Sequence, residues 1–113
     1  MSRGLKQPWF HILLALAASP RHGSAIAAEV LEQSDGRVRL WPTTLYGSLD
    51  ELEQRGLVLA LEGVERPIGQ SERRRFYRIT ELGRDALRDE SAWYRSVSEL
   101  ASKRLRSTAK AAE

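Results

Sequence analysis

Apolar side chains recur along this chain at spacings that separate helix from strand. Trp9, Ile12, Leu13 and Leu16 fall on one face of a 3.6-residue period. Pro8 stands where a helix can begin, since its missing N–H costs nothing in a first turn. Ser19-Pro20 ends that helix, because the residue before a proline is pushed out of the α region. Arg21-His22-Gly23 then reads as a turn. A second helix is predicted from about Ser24, a candidate cap, to Gln33, with Ile26, Ala27, Val30 and Leu31 buried. Asp35-Gly36 closes it, and Arg37 to Leu40 is an extended connector. Pro42 opens a third helix that turns Leu45, Leu49 and Leu52 inward, and Gly56 stops it where a left-handed residue is wanted.

The pattern then shortens. Leu57 to Leu61 is too brief for a helix and follows a stop, so a strand is predicted. Glu62 to Glu72 holds two glycines and a proline and reads as a loop. Arg73 to Ile79 is a second strand, with Tyr77 and Ile79 on one face and Phe76 on the other. Thr80 caps a last helix whose stripe is Leu82, Ala86, Trp93, Val97, Leu100 and Leu105, roughly seven turns at the helical period. Ser107 to Glu113 reads as a polar tail, and Met1 to Lys6 as a frayed start.

Three helices, a two-stranded hairpin and a long helix make a mainly α fold with a small β-hairpin. This is the layout of a winged helix-turn-helix, in which the third helix enters the major groove of DNA and the hairpin touches the flanking backbone. Residues 1–79 would form the DNA-binding domain, and residues 80–113 a C-terminal dimerisation helix with a frayed tail. The long stripe has no partner segment downstream, so it either folds back or meets a second chain.

Charge sharpens this picture through its distribution. The sum is only +3, from 18 basic and 15 acidic side chains. Residues 41–65 carry Arg55 against five carboxylates, whereas residues 66–80 carry Arg66, Arg73, Arg74, Arg75 and Arg78 against Glu72 alone. The positive field therefore falls on the hairpin, and arginine suits phosphate better than lysine does. Within the third helix, Asp50, Glu51 and Glu53 would repel phosphates along its C-terminal half. Its N-terminal turns should lead, placing Thr43, Thr44, Tyr46, Gly47 and Ser48 nearest DNA. Hydroxyls of this kind serve phosphates and bases alike, so they position well and specify poorly.

At 113 residues the chain has room for one domain. With no cysteine, disulfides and thiolate metal sites are excluded, and His11 and His22 are too few and isolated for a metal centre. No serine stands at nucleophile-like spacing from a histidine, and no glycine-rich phosphate loop occurs. The apolar run Ile12 to Ala18 is too short to span a bilayer. The expectation is a cytoplasmic protein that is neither an enzyme nor a membrane protein and uses no cofactor.

The residues also carry a family resemblance. Trp41-Pro42-Thr43-Thr44-Leu45-Tyr46-Gly47-Ser48-Leu49, then Leu52-Glu53 and Gly56-Leu57, resemble the recognition helix of the PadR family of bacterial transcriptional regulators. His22-Gly23-Ser24-Ala25-Ile26 is similar to that family's entry to its second helix. Arg75-Phe76-Tyr77-Arg78-Ile79-Thr80-Glu81-Leu82-Gly83 is similar to its second wing strand and final turn. Thr43, Gly47 and Ser24 depart from the commoner glycine, proline and tyrosine. The resemblance implies a homodimeric repressor on a pseudo-palindromic operator in double-stranded DNA, relieved by a small aromatic effector.

Each candidate has a plainer reading beside it. Arg73, Arg74 and Arg75 could simply protect an edge strand, and Tyr46 could pack against the wing rather than meet a phosphate. Trp9, Phe10, Trp93 and Tyr94, with Val97 and Leu100, fill a dimer core or line an effector site between protomers. A winged-helix module that binds another protein and reads no DNA is the alternative class, and the acidic face of the third helix favours it mildly.

Overall fold

The computed structural model of the chain describes residues 4–61 and 75–112, with side chains to residue 107. Helix α1 spans Gln7–Ala18, with a proline in its first turn as expected. Strand β1, Arg21–His22, leads directly into α2, Gly23–Gln33. Helix α3 is Pro42–Gln54, strands β2 and β3 are Val58–Leu61 and Phe76–Ile79, and α4 is Glu81–Ala112. Among the described residues no helix is long and apolar enough to cross a membrane.

Three helices pack around one core. Trp9, Ile12, Leu13 and Leu16 of α1 are buried as their spacing predicts, together with Ala15. They meet Ile26 and Val30 of α2 and Leu45, Leu49 and Leu52 of α3. Helix α3 stops at Gly56, which has φ +76° and so occupies the left-handed region at no steric cost.

Among the described residues the sheet has three strands, not two, in the antiparallel order β1-β3-β2. Strand β2 pairs Val58 with Ile79 and Leu61 with Phe76, and β1 pairs Arg21 with Tyr77. Arg21-His22, expected to be part of a turn, is thus a short edge strand. Two residues carry no readable alternation, and only β3, far along the chain, defines them. Tyr77 and Ile79 are buried and Phe76 is not, which matches the expected faces of β3. That strand begins at Phe76, and Arg75 lies just before it.

Local caps differ from the expected ones. His22, not Ser24, is the N-cap of α2, and its Nδ1 accepts from the Ala25 amide at 3.4 Å. Arg21 Nε donates to the Ala15 carbonyl at 3.0 Å, satisfying an acceptor near the end of α1. Thr80 does cap α4 as expected, accepting from the Gly83 amide at 3.0 Å and donating to Gly56 O at 2.6 Å.

Helix α4 divides along its length. Its first turns lean on the core through Ala86 and Leu87. Beyond them Trp93, Val97, Leu100 and Leu105 stand exposed, and so does Leu82 at the start of the stripe. The expected polar tail is helical as far as Ala112.

Candidate nucleic-acid interface

Helix α3 presents one face to the core and another to solvent. Leu45, Leu49 and Leu52 are buried, while Thr43, Thr44, Tyr46 and Gly47 are exposed. Open space surrounds Gly47: a β-carbon there would meet nothing within 4 Å. Ser48 departs from its expected position. It is only 8% exposed, because it follows Leu45 by three residues and shares its inward face. The first turn of α3 holds no acidic residue, and no side chain caps it. Asp50, Glu51 and Gln54 lie exposed in the opposite half, and Lys6 pairs with Glu51 at 3.6 Å.

The connector before α3, expected only to be extended, adds two further residues to this face. Arg39 and Trp41 are both exposed, and the Arg39 guanidinium lies 5.4 Å from the centre of the Trp41 ring. The signal that could have found them is the alternation Arg37-Val38-Arg39-Leu40-Trp41, whose second and fourth members are buried.

On the wing, Arg75 and Arg78 are exposed at and within β3. Arg73 and Arg74, with the loop residues Arg66 and Gln70, lie outside the described residues.

The aromatic constellation is gathered within the single chain. Phe10 and Tyr94 meet edge to face with ring centroids 5.0 Å apart, and Trp93 meets Tyr94 at the same distance. Trp9 is buried between two cations: Lys6 Nζ and the Arg55 guanidinium each lie 4.8 Å from its ring. An open groove of about 840 Å³ runs between residues 4–9 and α4, lined by Trp9, Arg55, Glu90, Trp93 and Tyr94 among others. Phe10 does not line it. Glu90, which its sequence neighbours do not mark out, is buried there.

A three-helix core with a small antiparallel sheet, followed by a long helix, is a winged helix-turn-helix of the kind used by transcriptional regulators. The family model of the Transcriptional regulator PadR-like family matches residues 12–89, and the chain belongs to that family. Proteins of this family and fold are generally not enzymes. The chain is 41% identical over 80 residues, or 71% of its length, to an uncharacterized 37.1 kDa protein in transposon TN4556 of Streptomyces fradiae. It spans about a fifth of that relative, which it covers to 21%. Among solved structures, RosR of H. salinarum superimposes with a TM-score of 0.68 at 27% identity, covering 98% of this chain and 99% of that one. A PadR-like transcription factor from Bacteroides fragilis gives a TM-score of 0.68 at 26% identity, with 84% and 86% of the two chains covered.

Proposed function

We propose that two copies of this chain form a dimer that binds a pseudo-palindromic operator in double-stranded DNA and represses by occluding a promoter. The observation that carries this reading is the split of α3. Thr43, Thr44, Tyr46 and Gly47 are exposed on turns free of acid, while the carboxylates gather in the far half. Such a helix enters a groove by its N-terminal turns. Arg73, Arg74 and Arg75 of the wing then meet the flanking phosphates.

Trp93, Val97, Leu100 and Leu105 of α4, left exposed in one chain, face α1 of the partner and set two recognition helices roughly 34–36 Å apart. Residues 1–79 act as the DNA-binding unit and residues 80–113 as the dimerisation helix, in the cytoplasm. A small aromatic ligand held by Trp9, Phe10, Trp93 and Tyr94 would alter the angle between protomers and release the operator.

The test is a fluorescence-anisotropy titration against duplex from upstream of the chain's own gene, at low and moderate salt, with random-sequence competitor. Binding that survives competitor and falls steeply with salt supports a specific regulator. Absence of binding at low salt overturns it in favour of a protein-interaction module.

A further inference from the structure

We infer that Arg39 and Trp41 form a second anchor on the sugar-phosphate backbone of duplex DNA, beside the contacts of α3 and the wing. The inference rests on the DNA-binding reading above and extends its footprint to the connector between α2 and α3.

The connector is a fixed strut. The Arg37 amide donates to Ser34 O at 3.0 Å, and the Val38 amide donates to Ser34 Oγ at 3.0 Å. Val38 and Leu40 are buried in the core. An extended backbone alternates its side chains, so the same anchoring turns Arg37, Arg39 and Trp41 to solvent together. Trp41 is 65% exposed, a large apolar ring left uncovered immediately before the helix that leads into the groove. A solvated indole at that place is surface that an intermolecular contact can bury.

Arg39 supplies the charge. Among the described residues no carboxylate pairs with it, and its guanidinium rests over the Trp41 ring instead. A guanidinium held against an aromatic face keeps its N–H edge free for a phosphate and loses less side-chain freedom on binding. The neighbouring ring then has a deoxyribose to pack on. Lys6 and Arg55 also stack on an indole, but Trp9 is buried, so that arrangement is internal and presents no comparable surface. The partner that fits the exposed pair is a polyanion with apolar sugars between its charges, which is the backbone of a duplex.

The test needs no operator, because a backbone contact acts on any sequence. The full chain is titrated against a mixed-sequence duplex over a range of low salt concentrations. Arg39→Ala is expected to weaken binding several-fold and to lower the log–log salt slope by about 0.9, as one phosphate fewer is neutralised. Trp41→Ala is expected to weaken binding while Trp41→Phe retains most of it, and the Arg39→Ala/Trp41→Ala pair should lose less than the sum of the single losses. Thermal melts of all variants should match the parent, since both side chains are exposed. An unaltered slope in Arg39→Ala, with the parent binding normally, overturns the anchor alone. A Trp41→Ala variant that changes preference among sequences but not mixed-sequence affinity overturns it in favour of a base contact. A parent chain that binds no duplex at low salt overturns the DNA-binding reading itself, and the anchor with it.

Discussion

The ring of Tyr46 covers the α-carbon of Gly23. A β-carbon built on residue 23 would stand 2.8 Å from ring atoms Cε1 and Cζ of Tyr46, well inside van der Waals contact. The start of α2 and the solvent face of α3 are therefore held in register by a missing side chain. Tyr46 is still 43% exposed, so the same ring packs against α2 and borders the proposed DNA face.

Gly23→Ala should displace Tyr46 and cost about 1–2 kcal/mol, in the range for overpacking a filled site. The ring can swing away, so adding Tyr46→Ala should recover much of that loss in urea titrations of the double variant. A penalty that persists in the double variant would place the strain in the backbone. Gly83 offers the contrast. A β-carbon there would collide with the Leu57 carbonyl oxygen and lie 2.8 Å from Ile79 Cγ1. Backbone at the entry to a strand cannot step aside, so no single side-chain truncation should rescue Gly83→Ala.

Thr80 joins the wing to the last helix. Its hydroxyl caps α4 at the Gly83 amide and donates to Gly56 O, where α3 ends. Thr80→Ala should lower stability by about 1–2 kcal/mol, at the upper end for removal of a cap because two hydrogen bonds go together. Thr80→Ser keeps both bonds and should stay near the parent in the same denaturation series.

Acid should loosen the α1–α2 contact through His11. Burial lowers the pKa of His11 below its ordinary 6.5, and Gln33 Nε2 lies 3.4 Å from His11 Nδ1, which can accept from it only while that nitrogen carries no proton. The folded chain thus prefers the neutral ring, whereas the unfolded chain takes up a proton near pH 6.5. This contribution is whole above that pH, falls as pH drops toward the folded pKa, and is constant below it. Thermal melts from about pH 7.5 to about pH 5 should show a smaller decline for His11→Asn than for the parent. Parallel curves would remove His11 from the acid response. Tyr77 acts at the other extreme. Burial raises its pKa above 10.0, with Arg75 opposing, so its contribution is whole below pH 10.0 and is lost as pH rises through the folded value.

Replacing Arg73, Arg74 and Arg75 together by alanine should weaken binding to all duplexes and flatten the salt slope by about 0.9 for each phosphate no longer neutralised. The same slope in parent and variant would remove these residues from the DNA contact, and since β3 lies between β1 and β2 they would not be guarding a sheet edge either. Comparing the triple variant with one lacking only Arg75 then divides the effect along the wing.

Val97→Glu should give a monomer on a sizing column. The side chain is exposed in the single chain, so a carboxylate there should leave the monomer fold intact while opposing an apolar interface. Retention of a dimer with unchanged melting would move the interface elsewhere on α4.

Much of the fold was legible because most helices here declare themselves locally. Pro8 and Pro42 open helices, Gly56 stops one, Thr80 caps one, and the apolar spacings of α1 and α3 name their buried faces. The exposed surface of α3 followed from the same spacing, except at Ser48, whose place three residues after Leu45 points inward although its polar side chain reads as surface. Arginine density marked the wing without giving its geometry.

The sequence by itself therefore determined the order of the four helices and the two wing strands and the buried faces of α1 and α3, since these depend on contacts a few residues apart, and the order of its motifs carried the family resemblance. Only the tertiary structure decided the third strand, the buried Glu90, the Tyr46–Gly23 contact and the stacking of Trp9 between Lys6 and Arg55. Each joins segments distant in the chain, and a pairing across such distances leaves no period for either segment to show alone. Helix α4 displays both cases: its apolar stripe was plain in the spacing, but only packing separated the turns that rest on the core from those left for another surface.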